Sequence, residues 1–448
     1  MPSPLVRRIA TAATDAQFDD FAPAVIAKVK LCLLDFLACA FEARDLPWSR
    51  RAAALAARQR GTAIVLATGQ TASTAEAAFA NAVAGHGLVR EDMHAGSVSH
   101  LGVVVLPTLL ALSQQSRVSG RDFIVAAITG YEAGARLGRV LITPEVARFF
   151  RPTGFTGPVA AACAGSRLLG LDEGSFASAL ALAANTASGL NQWPYEGGEE
   201  MFYHPGFAAR NALTAIDLAE LGAEGSAGAL DGPAGLITAY HPTDAIPEIT
   251  LFDGEPELLA VYNKPVPACN FAQTPCQAAL SLVAQDHIQS SQIRAIRIAA
   301  SYAAIHYPGC DHGGPFRNRL QAKMSIQFGV AAALRHRGVT EANYDDLQEA
   351  EILRLIALTT LETDPAFTAA FPQRQGSSVE ILTTDGKLHR QALADVVPAT
   401  ESQIRSRFMA AAADALGSSS AAAIAQFVED LENAASAGAV LQHACIGR

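Results

Sequence analysis

The stretch Phe207-Ala208-Ala209-Arg210-Asn211-Ala212-Leu213-Thr214-Ala215-Ile216-Asp217-Leu218-Ala219-Glu220-Leu221 sets Arg210, Thr214, Asp217 and Glu220 three or four residues apart. Leu213, Ile216 and Ala219 fall on the opposite side. That pattern predicts an amphipathic helix with one face on a core, and Gly222 supplies its stop. Upstream, Ser175–Leu190 is Ala-rich and apolar almost all round, which predicts a helix buried on most sides. Residues 1–260 repeat this texture between short Gly-containing breaks, so the first half reads as a helical bundle. Downstream the texture changes at Pro265, Pro267 and Pro275. Two β-like runs follow, Ala295–Ala300 and Ser378–Thr384, the second ending in Asp385-Gly386, a hairpin-turn signal. Ala322–His336 between them reads as a helix, and Glu401–Gln442 is Ala-rich and helical again. The expected fold is mainly α: a large all-helical domain of residues 1–264 and 396–448, and a smaller α+β lid domain of residues 265–395.

The chain has 448 residues, half of them apolar and 17% charged, a globular composition with a large core. The net charge of −10 argues against nucleic acid as a partner. A small anionic substrate remains compatible with it, provided a few Arg and Lys residues share one pocket. Arg7-Arg8 is followed by no apolar run of signal-peptide type, and Leu101–Leu112 is interrupted by Pro107 and is short for a bilayer span. The seven cysteines (32, 39, 163, 269, 276, 310 and 445) form no CxxC pair and read as reduced thiols filling a core, so the expected location is cytoplasmic, away from membranes.

The densest chemistry lies in Gly85–His100, where His86, Arg90, Glu91, Asp92, His94 and His100 fall within sixteen residues ahead of an apolar helix. That composition suits an active-site loop. The spacing of His94 and His100 matches no standard zinc pattern, so no metal is expected. Phe149–Pro158 carries Arg151, which can grip a carboxylate with two N–H groups, and Gly154 and Gly157 beside a helix start. It fits neither GxxxxGK[ST] nor GxGxxG. Glu199–Gly206, Lys264–Gln273 and Tyr302–Lys323 are three further polar segments, each structural when read alone.

In this order, these segments resemble the MmgE/PrpD (2-methylcitrate dehydratase) superfamily. His86–His100 is similar to its H-A-L-D-F-D-D-T-H…H-P, and Gly130–Gly138 to its G-Y-E-x-x-x-R-L-G. Arg151–Gly157 resembles H-P-T-x-x-x-G, His204–Ala209 H-x-G-x-A-A, Lys264–Cys269 K-P-Y-P-x-C, and Ala322–Ser325 A-K-F-S. The resemblance runs through almost the whole chain. It implies a helical domain with an α+β lid, a site between them, a homodimer, and chemistry without metal or other cofactor on a small polycarboxylate. The departures are Val89 for an acidic residue, Glu91 for the first Asp of the D-D pair, Arg151 for His, Met201 for Lys and Gln273 for His.

Known activities of the family are dehydration, decarboxylation and epimerisation. Dehydration needs an acid for the leaving hydroxyl and decarboxylation a proton donor, whereas epimerisation needs proton removal on one face and return on the other. The departures therefore favour an isomerase, an epimerase of an amino-dicarboxylate such as iminodisuccinate. A hydro-lyase, a cis-aconitate-type decarboxylase and a non-catalytic ligand-binding descendant remain alternatives. The expected catalytic residues are His100 as base, with Asp92, Tyr203 or Lys264 as the second acid–base group. Arg151, Gln273, His94 and Lys323 are the expected substrate-binding residues.

Overall fold

The computed structural model describes residues 3–240 and 246–444, so Cys445 lies outside the described residues. The chain is mainly helical, as the periodicity predicts. The helices that build the body are α1 (Pro23–Glu42), α2 (Thr74–His86), α3 (Gly102–Leu112), α4 (Gly120–Leu141), α5 (Pro152–Leu169), α6 (Glu173–Ala184) and α7 (Glu200–Glu220). Helix α7 packs on α2, α5 and α6, and α5 also packs on α4 and α3. The small residues Ala208, Ala209, Ala212 and Ala215 on the buried face of α7 allow that close approach, with Leu213 and Ile216 filling the gaps. Arg210 points outward to Glu76 at 3.3 Å. Apolar α3 is buried along its whole length and keeps Pro107 inside the helix. Among the described residues, no helix is long and apolar enough to cross a membrane.

Two predicted helices are shorter than their sequence pattern. The Ser175–Leu190 run is helical only to Ala184. Asn185 and Thr186 turn their side chains back onto the carbonyls of Ala181 and Ala183, competing with the backbone for those acceptors. Ala322–His336 is split at Ser325, which caps α9 (Ile326–His336) by accepting from the Phe328 N–H and ends the short helix Arg319–Met324.

Downstream of α8 (Gln273–Asp286) lies a mixed four-stranded sheet of β1 (Ile293–Ala300), β2 (Thr359–Thr363), β3 (Ser377–Thr383) and β4 (Leu388–Leu393), in the order β2-β1-β3-β4. Strand β1 runs parallel to β2 and antiparallel to β3, and β3 is antiparallel to β4. The Asp385-Gly386 turn joins β3 to β4, with Gly386 at φ 84° and the Asp385 carboxylate accepting from Lys387 N–H. Helices α8 and α9 pack together, and α8 lies on β3 and β4. Two helices follow the sheet, α10 (Glu401–Leu416) and α11 (Ser418–Glu429), broken at Gly417 (φ 87°). Helix α10 lies along α1, with Phe408 beside Phe41 at 6.4 Å between ring centres.

Candidate active site

The loop between α2 and α3 is held in an irregular path. Val89 and Val98 both take left-handed backbone (φ 57° and 50°), which a β-branched side chain disfavours. Such strain persists only where the surroundings over-determine it, and it gathers at functional sites. Here the surroundings are specific. His100 N–H donates to Thr153 Oγ1 (3.0 Å) in the first turn of α5, and Thr156 Oγ1 donates to Ser99 Oγ (3.0 Å). Gly102, in the first turn of α3, has no room for a side chain, since a Cβ there would lie 2.3 Å from the Tyr131 hydroxyl and 2.5 Å from the Asp92 carboxylate.

This path buries Glu91 between two imidazoles. Glu91 Oε1 lies 2.6 Å from His86 Nδ1 and 2.9 Å from His100 Nδ1. The other end of His86, Nε2, sits 3.2 Å from Arg151 Nη2. A guanidinium only donates, so His86 Nε2 accepts and its proton sits on Nδ1. His100 Nδ1 faces two acceptors, Glu91 Oε1 and the Asp92 carbonyl (2.9 Å), so it too carries the proton. His100 Nε2 is left as a lone pair with no hydrogen-bond partner among the described residues. Burial pushes the His100 pKa down to about 3, against the pull of Glu91, and keeps the ring neutral. Burial pushes Glu91 up, but the two facing histidines more than offset this and hold it well below the usual carboxylate range.

His100 and Arg151 share a narrow pocket with Val89, Met93 and Val98 of the same loop as His100. Cys269, Asn270, Phe271, Tyr307 and Met324 come from the segment beyond residue 264. Its free volume of about 10 Å³ holds about one water molecule. Arg151 is buried, hydrogen-bonds the Tyr307 hydroxyl at 3.3 Å, and has no carboxylate partner among the described residues. Lys264 is buried beside the cluster, with Nζ on the Ala268 carbonyl at 3.0 Å. Burial lowers its pKa to about 8, with Glu91 acting the other way. Two buried cations thus face one buried carboxylate, and the excess positive charge suits an anionic ligand.

The other expected site residues lie elsewhere. Gln273 spends its amide on the backbone, accepting from Val266 N–H and donating to the carbonyls of Val266, Ala268 and Cys269, so it staples the Pro265–Cys269 loop and has no group left for a carboxylate. Lys323 is committed to Glu341, to the Leu88 carbonyl and to the face of Tyr344. His94 donates from Nε2 to Glu257 (2.9 Å) and accepts the Ser97 N–H at Nδ1, in a network that Arg139 completes. Tyr203 is half-buried near Arg51 and does not line the pocket. Asp92 lies beneath the loop, bonded to the Tyr131 hydroxyl, and reaches the site only through its carbonyl. Sequence reasoning missed the role of Glu91, although its place between His86 and His100 was the available signal. It also passed over Cys269 and Tyr307. Among the described residues, no group of three or more His, Cys, Asp or Glu side chains is placed to hold a metal ion.

Asp92 gives a stability test. Burial pushes its carboxyl up to about 6, against the Tyr131 hydroxyl that favours the anion. A raised folded-state pKa contributes stability below the unfolded value, and that contribution is lost as pH climbs through the folded one. Urea unfolding of the wild type and Asp92→Asn should therefore differ by an amount that changes by up to about 3 kcal/mol between pH 4 and pH 7, in the wild type's disfavour as pH rises. A constant difference across that range would place the Asp92 pKa near its ordinary value.

The pocket thus joins a neutral imidazole and an arginine without a described carboxylate partner, with Glu91 and Lys264 buried close behind them. The MmgE/PrpD N-terminal domain model matches residues 7–248 and the C-terminal domain model residues 266–433, so the chain belongs to the MmgE/PrpD family. Members of this family are enzymes, decarboxylases and dehydratases among them. Cis-aconitate decarboxylase of Aspergillus terreus is 33% identical over 227 residues, 49% of this chain and 46% of that protein. The chain thus spans about half the length of that relative. The Homo sapiens cis-aconitate decarboxylase is 27% identical over 308 residues, 64% of this chain and 61% of that protein. The Mus musculus one is 25% identical over 385 residues, 80% and 75% respectively.

Proposed function

We propose that the chain is an acid–base enzyme that removes and returns the proton on a carbon next to a carboxylate of a small polycarboxylate, its leading reaction being epimerisation of an amino-dicarboxylate such as iminodisuccinate. The observation that carries this reading is the fixed tautomer of His100: Nδ1–H is held by Glu91 and the Asp92 carbonyl, and Nε2 is a lone pair at the pocket. A neutral imidazole whose pKa lies at about 3 accepts a proton but has none to give. A bound dianion beside it raises that pKa and strengthens the base at the moment of need. Arg151, unmatched by any described carboxylate, and Lys264 supply the charge for the substrate and for the enolate oxygens as negative charge develops. A homodimer belongs to the same proposal.

The names of the relatives favour a second reading, decarboxylation of a cis-aconitate-like acid. That reaction needs a donor to protonate the carbanion left by carbon dioxide, a role that neutral His100 does not fill and that another group of the pocket would have to supply. One experiment separates the two. Proton NMR in D₂O with iminodisuccinate isomers, and separately with cis-aconitate and 2-methylcitrate, should give deuterium at Cα of iminodisuccinate with interconversion of the isomers. Loss of carbon dioxide or water from the citrate-type acids, with no exchange in iminodisuccinate, would replace epimerisation by lyase chemistry.

A further inference from the structure

We propose that Cys269 is the second acid–base group of this site, working on the face of the substrate opposite His100. The inference rests on the epimerase reading and supplies the partner that reading requires.

The two residues reach the pocket from different parts of the chain. His100 comes from the strained loop of the helical body, and Cys269 from the Pro265–Cys269 loop beyond it. A planar enolate bound between these walls would present one face to each. The backbone of Cys269 is clamped on both sides: its N–H donates to the Lys323 carbonyl (2.8 Å) and its carbonyl accepts from Gln273 (3.2 Å). Its Sγ lies 3.5 Å from Cys310 Sγ. Cys310 is anchored in turn, with its N–H on the Tyr307 carbonyl and its carbonyl accepting from Ile326 N–H. One thiol must donate to the other. Burial alone would push the Cys269 thiol up, but the hydrogen bond from Cys310, the Phe271 N–H and the charges of Lys264 and Arg151 bring it down to about 7. Burial and the neighbouring sulfur push Cys310 well up, so it keeps its proton and donates it.

The other polar groups lining the same space are already committed. Tyr307 serves Arg151, and its phenol is raised further by burial. Asn270 is bonded to Gln375 and Tyr262 and has no proton to exchange. Cys269 is the remaining group there that gives and takes a proton near neutrality.

The step balances without an oxidant or reductant. His100 Nε2 takes the Cα proton, the C–H electron pair passes into the enolate, and the Cys269 S–H bond breaks as its proton joins the opposite face of Cα. Imidazolium and thiolate remain, and both reset by proton exchange with water. In the reverse direction the Cys269 thiolate is the base, and His100, protonated once the bound dianion has raised its pKa, is the acid. Cys310 is a positioning residue, acting only through the hydrogen bond to Cys269.

The test is the D₂O experiment on C269A and C269S, with either iminodisuccinate isomer as starting material. Interconversion should fall at least about 100-fold in both variants. The isomer that turns its Cα–H to His100 should still take up deuterium, within about tenfold of the wild-type rate and without inversion, while the other isomer stops exchanging. H100A should show the opposite selectivity. Interconversion at the wild-type rate in either cysteine variant, or equal loss of exchange from both isomers in a variant with wild-type thermal stability, would overturn the assignment of Cys269. Absence of exchange in the wild-type enzyme would instead overturn the epimerase reading on which it rests.

Discussion

His100→Ala is expected to lower the rate of substrate interconversion by about 10²–10⁴-fold, the usual worth of a positioned general base. Affinity for the substrate should change little, because the proposal gives the charges that hold an anion to Arg151 and Lys264. The fold should survive. His100 is anchored by its backbone N–H to Thr153 as well as by its ring, and that backbone contact remains in the variant. The readouts are steady-state interconversion, deuterium uptake and a thermal melt on the same preparation. A loss under tenfold, with a native melt, would remove His100 from the chemistry.

Glu91→Gln is expected to cost about as much turnover, for a different reason. The carboxylate accepts hydrogen bonds from two Nδ1–H groups and thereby sets the tautomer of both rings. An amide keeps its oxygen on both Nδ1–H groups only by placing its NH₂ at the buried Oε2 position, which offers that donor no partner; in the other orientation its N–H groups face the rings and one imidazole must move its proton to Nε2. For His100 that converts the pocket-facing base into a donor, and an orienting carboxylate of this kind is worth up to about 10⁴-fold in turnover. The substitution also strips the buried cluster of its negative charge. Glu91 acts to raise the Lys264 pKa, which stands at about 8, so in the variant Lys264 loses its charge at lower pH and KM should begin to rise earlier on the alkaline side. Removing the buried negative charge whose field Lys264 feels should also lower stability, by up to about 3–5 kcal/mol if the site cannot rehydrate. Because His100 and Glu91 work as one unit, the double variant should be hardly slower than His100→Ala alone. Pre-steady-state rates across pH, with urea unfolding beside them, check all three effects. A Glu91→Gln enzyme of normal turnover would mean that the Asp92 carbonyl fixes the tautomer alone.

Much of this architecture was legible in the sequence. The helical body follows from 3.6-residue periodicity, and β1 and β3 from alternation and a turn signal. The second pair of strands was harder to see, because β4 alternates half-buried with exposed residues and β2 is five residues of largely polar composition. At the candidate site, composition pointed to a loop that lines the pocket but not to how its residues are arranged. His86, His94 and His100 are equally polar in the sequence, and no periodicity applies to an irregular loop. Which ring faces the pocket is decided by the left-handed turns at Val89 and Val98 and by long-range partners, Thr153 for His100 and Glu257 for His94. Gln273 and Lys323 were misjudged for a related cause. A polar side chain between two loops reads as available, yet both are consumed by backbone carbonyls that only the fold brings near.

The closure of the helical body has a consequence for how the chain is made. Helix α1 is covered by α10, and Lys30 bonds the Glu429 carbonyl across 399 residues of sequence. The chain leaves the body beside Asn263 and re-enters where Ala399 N–H donates to the Asn263 carbonyl. During synthesis, then, the apolar flank of α1 emerges well before α10 and must wait for several hundred residues before its cover arrives. The ribosome supplies these partners at 5–20 residues per second or so, which keeps Phe41 and its neighbours uncovered for tens of seconds. Contacts this distant in sequence also make closure the slow step of folding. Helices α10 and α11 thus act as a seal, and a nascent chain that stalls before Phe408 presents an open hydrophobic seam to the chaperones around it.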